Sequence, residues 1–558
     1  MKILILGGYG VFGGRLVQLL AGQGLDLIVA GRDLQRARAF CATHPGTEPV
    51  KADRATIAQT LQTQRPDMLI DASGPFQNYG RDPCTVLKAC IATATNYLDF
   101  ADGADFVAGV STFDAAAKAT GIFALSGVSS FPVLTAAVLA ETVLAETVLA
   151  ETVLAEAALT MQITHVTGGL APSPHAGVGL NVLRAVLGYA GQPVRLIRDG
   201  RPTTGRGLAD TQRMTIAPPG ALPLDNTLFS LVDVPDLCAI PAAMPTIRSL
   251  WLGAGPRPEP LLRLLITLAR LRSPHLTRLA PLAHWVLNVV KYGAHRGGMV
   301  LDLQGSANGL PVTRSWHMLA EGDDGPLIPA MAIACLIGKV QQGALPDPGA
   351  RTAVGALDLA DYATMFRDRA IVHGWRGPAT GAVYEQVLGP AFARLPPVLQ
   401  ALHRPGPRAQ WSGRAQVTRG PSRAANLIAR IFGFPKAGAD IPVLVTFLTA
   451  PNGRETWGRN FAGRLMLSTQ EAGTGRSQYL ITERFGPLAF GLALVVEGAK
   501  LRLIPRRWTL LGLPLPRFLL PKGDSHETEE DGKFRFHVQI AVPLIGPVVT
   551  YDGWLQPA

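Results

Sequence analysis

Cysteine is scarce in this chain of 558 residues. Its five cysteines form no C-x-x-C pair and have no histidine partner at the spacing of a metal site. This absence argues against a zinc centre and against a disulfide framework, so we expect no metal site. Reduced cysteines also fit a cytoplasmic location.

Long uninterrupted apolar runs are absent as well. No stretch reaches the roughly 18 uncharged apolar residues of a spanning helix, and the N-terminal apolar run is too short for a signal peptide. The segment from Leu261 to Tyr292 comes nearest, but five basic residues interrupt it. It predicts two amphipathic helices, which either rest on the inner face of a membrane or line an apolar pocket.

Three common catalytic signatures are missing. No tyrosine has a lysine four residues later, and the nearest case is Tyr292, which has Arg296 at that position. Because arginine cannot replace the lysine, this argues against the short-chain dehydrogenase mechanism. The chain also lacks a G-x-S-x-G nucleophile elbow and a Walker lysine. Hydrolases of that type and phosphoryl-transfer enzymes are therefore disfavoured.

Charged residues make up only 17% of the chain, against 47% hydrophobic residues, which is typical of a globular protein with a large core. The net charge of +11 fits an anionic ligand or a membrane surface. The basic residues are scattered and show no aromatic RNA-binding motif, so we expect no nucleic-acid partner. Arg506, Arg507 and Trp508 are predicted to lie on a solvated strand edge.

What the chain does have is a glycine pattern at its start. Lys2 to Leu6 predicts a buried parallel strand, and a helical pattern begins near Arg15. Between them lies G-x-G-x-x-G, which predicts nucleotide binding in this strand–turn–helix setting. Gly8 would allow the tight turn, Gly10 the approach of a pyrophosphate and Gly13 close packing of helix on strand. The predicted phosphate-binding residues are Gly8, Gly10, Val11, Phe12 and Gly13.

The next strands predict which nucleotide binds. Arg32 ends the second strand, where a guanidinium can accept the 2′-phosphate of NADP. Asp33 follows it and keeps NAD open, because an acid at this place binds the ribose hydroxyls. Asp53 follows the third strand and either contacts adenine or caps a helix.

Strand and helix patterns alternate up to Leu125, which indicates an α/β doubly wound parallel sheet of the Rossmann type. We predict a nucleotide domain at residues 1–135, an α+β substrate or dimerisation domain at 136–376, and a mainly antiparallel β domain or partial barrel at 384–558. Residues 138–156 repeat TVLAE and predict an expanded helix without chemistry of its own.

Two segments carry a family resemblance. Gly74-Pro-Phe-Gln-Asn-Tyr-Gly80 is followed by Ala89-Cys90 and then by Tyr97-Leu-Asp99. This order resembles the saccharopine dehydrogenase family over about residues 1–372, including its uncharacterised bacterial members. Residues 384–556 resemble a bacterial domain of unknown function that is found fused to such oxidoreductases. The resemblance implies a nicotinamide-dependent oxidoreductase.

The remaining site residues follow the fourth and fifth strands. Ser73, Gly74 and Pro75 lie where the nicotinamide ribose should pass. Tyr97 and Asp99 are a candidate proton donor and orienting carboxylate, with a buried tyrosine and a helix cap as the alternative. The main hypothesis is hydride transfer between NADP and a carbonyl or imine of a small or lipid-like molecule, by a monomer or a homodimer. The rival is a catalytically silent nucleotide sensor whose C-terminal β domain binds an apolar ligand or a membrane partner.

Overall fold

The computed structural model describes residues 1–80, 82–148, 161–177, 179–271, 276–289, 291–378 and 380–558. The chain divides into two compact units. The first comprises Met1–Gln212, Leu228–Thr313 and Leu319–Val372, and the second comprises Arg213–Thr227, Arg314–Met318 and His373–Ala558. The three-domain division stays a prediction.

Strands and helices alternate at the start of the chain, as predicted. They are β1 (Lys2–Leu6), α1 (Val11–Leu20), β2 (Asp26–Gly31), α2 (Leu34–Cys41), β3 (Thr47–Lys51), α3 (Ile57–Gln64), β4 (Met68–Asp71), α4 (Thr85–Ala92), β5 (Asn96–Asp99), α5 (Ala104–Gly109), α6 (Asp114–Thr120) and β6 (Phe123–Ser126). Ile3, Leu4 and Ile5 are fully buried. A strand covered on both faces needs such a continuous apolar run.

The following elements are mixed. They are α7 (Thr135–Val148), β7 (Gln162–Ala171), α8 (Leu180–Gly188), β8 (Pro193–Arg198), β9 (Arg201–Arg206), β10 (Thr211–Ile216), β11 (Leu224–Leu231), α9 (Asp236–Ala243), β12 (Ser249–Ala254), α10 (Glu259–Arg270), α11 (Ala280–Val289), β13 (Arg296–Ala307), β14 (Leu310–Glu321), α12 (Ile328–Gln341), β15 (Gly349–Thr352), α13 (Leu359–Phe366) and β16 (Ile371–Arg376). The predicted repeat helix is present as α7 up to Val148, and its remainder lies outside the described residues.

The first sheet has the strand order β15-β6-β5-β4-β1-β2-β3, and its strand pairs are parallel. The chain reverses its direction of winding between β1 and β4. In such sheets ligands bind outside the carboxyl ends of the strands at this reversal point. The predicted doubly wound sheet is confirmed, and it places the glycine turn at that point.

A second seven-stranded sheet has the order β10-β11-β12-β7-β13-β14-β16. It is mixed, because β12 runs parallel to β7 whereas β13 runs antiparallel to it. The α+β character that was predicted for this part of the chain is confirmed. Within the described residues, no helix combines the length and the apolar character needed to cross a bilayer.

The C-terminal part holds most of the second unit. Its elements are α14 (Val383–Leu388), α15 (Pro397–His403), β17 (Arg408–Arg419), α16 (Arg423–Ile431), β18 (Gly438–Thr449), β19 (Glu455–Phe461), β20 (Arg464–Ala472), β21 (Ile481–Phe485), β22 (Leu488–Glu497), β23 (Lys500–Leu510), β24 (Leu513–Pro514), β25 (Ser525–Glu530), β26 (Lys533–Val542) and β27 (Gly546–Pro557).

These strands form one antiparallel sheet in the order β22-β21-β20-β19-β18-β17-β27-β26-β25-β23. Strand β22 also pairs with β23, so ten strands close on themselves into a complete barrel. Side chains alternate between its interior and its outer surface. On β18, for example, Val445 and Phe447 are buried, whereas Leu444 and Leu448 are exposed.

The closed sheet corrects one expectation. Strand β23 pairs with β22 at Arg507, and neither Arg506 nor Arg507 is an exposed residue. Arg506 instead binds the fully buried side chain of Asp225, with 2.8 Å between Nη2 and Oδ1. The sequence pattern missed this pair because its members are far apart along the chain.

Candidate active site

The turn between β1 and α1 is built from glycines that have no room for a side chain. Gly7 has a φ of +82°, a conformation that glycine adopts without strain, so Gly7 makes the tight turn that the sequence pattern had given to Gly8. A Cβ on Gly8 would lie 2.9 Å from the Ile5 carbonyl oxygen. Gly8 therefore serves packing, while Gly10 closes the turn through its amide, 2.8 Å from the Gly7 oxygen.

Gly13 holds the helix against this turn. A Cβ at this position would lie 2.4 Å from the Gly7 oxygen and 2.8 Å from the Gly8 Cα atom. The first main-chain bond of α1 runs from the Gly14 amide to the Gly10 carbonyl at 2.9 Å. The amides of Val11, Phe12 and Gly13 precede it and have no acceptor within the helix, so they are available to an anion.

Arg32 and Asp33 directly follow β2 and differ in their hydrogen bonding. Arg32 is exposed, whereas the Asp33 carboxylate caps α2 by accepting the amides of Gln35 and Arg36 at 3.0 and 3.1 Å. Tyr9 covers this strand end, because its hydroxyl accepts the Asp33 amide at 3.0 Å. The carboxylate that could bind ribose is thus already engaged in a helix cap.

Arg32 borders a cavity of about 320 Å³ at the end of β3. Lys51, Asp53 and Thr56 line the same cavity. Asp53 Oδ1 accepts the amides of Ala55 and Thr56, both at 2.9 Å, so it makes the capping contact that was one of its two predicted roles. The amide of Thr56 contributes most to lowering the pKa of Asp53, to which Arg32 also contributes.

At the end of β4, Ser73 belongs to a hydrogen-bonded cluster. Its hydroxyl donates to Asp71 Oδ1 at 2.6 Å and lies 3.0 Å from the Tyr79 hydroxyl. Asp71 is fully buried, and burial raises its pKa. The peptide bond between Gly74 and Pro75 is cis. Because a Cβ on Gly7 would lie 2.7 Å from the Ala72 oxygen, the ends of β1 and β4 meet closely.

Three members of this cluster, Asp71, Tyr79 and Arg54, were not predicted as site residues. The Arg54 guanidinium lies 3.6 Å from the centre of the Tyr79 ring and donates to the Tyr79 carbonyl oxygen at 2.9 Å. Burial raises the pKa of Tyr79, which keeps its hydroxyl protonated. The signal for Tyr79 was present in the Gly74–Gly80 motif, but only the fold shows that its hydroxyl returns to the strand end.

Tyr97 and Asp99 lie at the end of β5, and both are fully buried. Asp99 Oδ1 accepts the amides of Ala101 and Gly127 at 2.9 and 2.7 Å, which ties this strand end to the turn after β6. Burial raises the pKa of Asp99 to about 6 and also raises that of Tyr97. Neither side chain reaches the surface, so their proton-transfer role stays a prediction.

The structure therefore brings most of the predicted cofactor residues to one edge of the sheet. These are the Gly7–Gly13 turn, Arg32, and Ser73 with its neighbours. Phe12 lies on the same side, with its ring centre 5.7 Å from that of Phe100 after β5. No group of three or more His, Cys, Asp or Glu side chains suited to a metal ion occurs among the described residues.

Comparison with known families agrees with this geometry. Residues 3–125 match the model of the saccharopine dehydrogenase NADP binding domain. Residues 395–555 match a domain of unknown function, DUF4166. The resemblance inferred from the Gly74–Gly80 and Tyr97–Asp99 segments is thus confirmed, and the match supports an oxidoreductase with a nicotinamide cofactor.

Solved structures also resemble parts of the chain. Saccharopine dehydrogenase (L-Glu forming) from Saccharomyces cerevisiae is 14% identical, with 68% of this chain and 100% of that chain covered at a TM-score of 0.48. The oxidoreductase ylbE from Lactococcus lactis is 17% identical, with 18% and 47% covered at 0.16. The Bordetella bronchiseptica enzyme WbmH, solved with NAD⁺, is 19% identical, with 17% and 38% covered at 0.15. No curated protein matches the chain.

Proposed function

We propose that this protein is an NADP-dependent oxidoreductase that transfers hydride to or from a carbonyl or imine of a small or lipid-like substrate. The glycine turn carries the proposal. It joins β1 to α1 where the winding of the parallel sheet reverses, and its glycines leave no room for side chains. This is the arrangement that receives a dinucleotide in doubly wound sheets.

Different parts of the edge would hold different parts of the cofactor. The amides of residues 11–13 suit the pyrophosphate, because they would offer it free N–H groups and the positive end of the helix dipole. Ser73, Gly74 and Pro75 suit the nicotinamide ribose. When bound, the nicotinamide would supply the hydride acceptor or donor, and the chain would position it.

Arg32 supports NADP over NAD. Its guanidinium is exposed beside a cavity that Lys51 also lines, so two cations are available to a 2′-phosphate. Asp33, which would favour the free ribose hydroxyls of NAD, is engaged by two amides of α2.

A titration with NADPH and NADH, followed by turnover assays on panels of carbonyl and imine compounds, tests the function. We expect tighter binding of NADPH and oxidation of NADPH with at least one panel member. Tight binding without any turnover would favour a silent nucleotide sensor. Absence of binding would refute both.

We also propose that α10 and α11 contact an anionic membrane surface. Large apolar side chains are exposed on both helices and directly after α10, namely Leu264, Leu271, Leu282, Trp285 and Val289. Arg278 and Lys291 are exposed beside them and add positive charge. Apolar surface next to cations is typical of helices that lie in the lipid interface.

Co-sedimentation with vesicles tests this contact. The wild type should sediment with phosphatidylglycerol-containing vesicles, and Trp285→Ser should sediment less. Leu310→Ser is the matched control, because Leu310 is 69% exposed but lies on β14. Equal sedimentation of all three proteins would contradict the proposal.

A further inference from the structure

The closed C-terminal sheet encloses a cavity of about 410 Å³. Its wall is mainly aliphatic and aromatic, with Val445, Phe447, Met466, Leu492, Leu503 and Phe534 among the lining residues. An eight-stranded barrel is just wide enough for side chains to fill, so a ten-stranded one leaves space. This volume lies within the usual range of small-molecule sites, about 300–1,000 Å³.

One polar cluster interrupts the apolar wall. Glu483 Oε1 accepts three hydrogen bonds, from Ser468 Oγ at 2.8 Å, Gln470 Nε2 at 3.1 Å and Arg459 Nη2 at 3.1 Å. The guanidinium also lies 4.9 Å from the centre of the Trp457 ring. Because Arg459 and Glu483 neutralise each other, the cluster presents hydrogen-bonding groups without net charge.

Gln470 has an unused acceptor. Its side chain lines the cavity, the residue is 1% exposed, and its Oε1 has no donor among the described residues. Reversing the amide would place two oxygens 3.1 Å apart at Glu483, so the assignment of Nε2 as the donor is the favourable one. A buried acceptor in an apolar wall is costly unless a ligand or a water molecule donates to it.

The other charged groups of the lining do not favour a buried anion. Glu527 Oε2 lies 2.6 Å from His403 Nε2, and His526 and His537 lie beside Asp524 and Asp552. Lys522 is exposed, so an anion bound to it would stay in contact with solvent. The buried end of the cavity therefore suits a neutral group.

We propose that the interior of the closed sheet binds a neutral, lipid-sized molecule whose polar end is a hydroxyl that donates to Gln470 Oε1. The apolar wall takes the hydrocarbon part, and the Arg459–Glu483 cluster excludes a carboxylate. This site is separate from the nucleotide site and does not depend on the proposed oxidoreductase activity.

Displacement of a neutral fluorophore, N-phenyl-1-naphthylamine, from the full-length protein tests the proposal. The competitors are 1-dodecanol, dodecyl methyl ether and dodecanoate, which share a chain but differ in the polar end. We expect the alcohol to displace the probe at about one tenth of the ether concentration, since one hydrogen bond to a neutral acceptor contributes roughly this factor. Dodecanoate should be weaker than the alcohol.

Two comparisons locate the site: Val445→Trp with Leu444→Trp, and Gln470→Leu with the wild type. Val445→Trp fills the cavity and should abolish probe binding, whereas Leu444→Trp, on the outer side of the same strand, should leave it unchanged. Gln470→Leu should still bind the probe but should bring the alcohol-to-ether ratio close to one. Far-ultraviolet circular dichroism and thermal unfolding verify that each variant is folded.

Four results would overturn the proposal. They are probe binding that Val445→Trp does not reduce, equal displacement by alcohol and ether in the wild type, an alcohol preference that survives in Gln470→Leu, and strongest displacement by dodecanoate. The last result would place an anionic ligand at Lys522 instead. If Val445→Trp fails to fold, the Gln470→Leu comparison decides alone.

Discussion

The parallel sheet of the first unit and the closed sheet of the second differ in how each forms its proposed binding site. At the end of β1 the site is made of main chain, because glycines remove side chains and α1 contributes free amides. Inside the closed sheet the site is made of side chains that line a cavity between strands. A main-chain site depends on a few adjacent residues, whereas a cavity depends on the closure of all ten strands.

The two units also differ in the placement of their charged side chains. At the edge of the parallel sheet Arg32 is exposed and available to an anion. In the second unit the fully buried carboxylate of Asp225 is matched by Arg506 and Arg517. An exposed cation suits a charged ligand, whereas paired charges suit an uncharged one.

The largest effect should follow from Asp225→Ala. Asp225 Oδ1 accepts Arg506 Nη2 at 2.8 Å and Oδ2 accepts Arg517 Nη2 at 2.6 Å. Removing the carboxylate leaves two cations without a counter-ion, so the free energy of unfolding should fall by about 3–5 kcal/mol. Urea unfolding monitored by tryptophan fluorescence measures it.

The matched control is Asp440→Asn, which neutralises an exposed pair with Arg414 at 2.7 Å, tolerates the φ of +53° at this position and should cost at most about 0.5 kcal/mol. Burial alone would raise the pKa of Asp225, but Arg506 and Arg517 outweigh it and lower the pKa. The stabilisation is therefore present above the unfolded pKa and is lost as the pH falls toward the folded one. Equal losses in both variants would contradict this account.

The main-chain site is tested by Gly13→Ala. The added Cβ would lie 2.4 Å from the Gly7 oxygen, and neither backbone can yield without moving the turn. If two charge-assisted hydrogen bonds to the pyrophosphate are lost, NADPH affinity should fall about 100-fold. Fluorescence titration measures the affinity.

Gly338→Ala is the control for this substitution. Gly338 lies inside α12 and a Cβ there would meet nothing within 4 Å. NADPH affinity should not change, and the helix should gain up to about 1 kcal/mol of stability. Unchanged affinity in Gly13→Ala as well would remove the glycine turn from the cofactor site.

The same contrast explains what the sequence could predict. The strand, the glycines and the helix of the first site are consecutive in the chain, and so are Ser73, Gly74 and Pro75. Their local sequence pattern could therefore predict the site. The Gly74–Gly80 motif contains Tyr79 but does not show that its hydroxyl lies beside Ser73. No local pattern marks the contact of Arg506 with Asp225, because these residues are 281 positions apart. Strands of the second unit were predicted from alternation, but neither their closure nor the cavity follows from it.

Arg32→Ala tests the cofactor preference. Because the guanidinium would lose a charge-assisted contact with the 2′-phosphate, NADPH should bind about 30-fold more weakly while NADH changes less than about twofold. Arg38→Ala removes the same charge from an exposed position near the end of α2 and should change neither affinity. An unchanged ratio of the two affinities in Arg32→Ala would refute the assignment of NADP.

The smallest expected effect concerns Asp99, whose burial raises its pKa to about 6. Its unfolded pKa is about 3.9, so the folded protein binds more protons between these values and its stability falls as the pH rises through this window. Asp99→Asn keeps an oxygen for the amides of Ala101 and Gly127 but does not titrate. Relative to this variant, wild type should therefore lose about 2 kcal/mol of unfolding free energy between pH 4 and 7.

Urea unfolding across this range, together with turnover at neutral pH, separates two roles of Asp99. If Asp99 only ties β5 to the turn after β6, the variant retains turnover and loses the pH slope. If turnover falls while NADPH affinity is unchanged, Asp99 orients Tyr97 as a proton donor, which is the role that the sequence predicted. Parallel pH slopes in both proteins would mean that burial does not shift the pKa of this carboxyl, because a group that titrates alike in both states adds nothing to the slope.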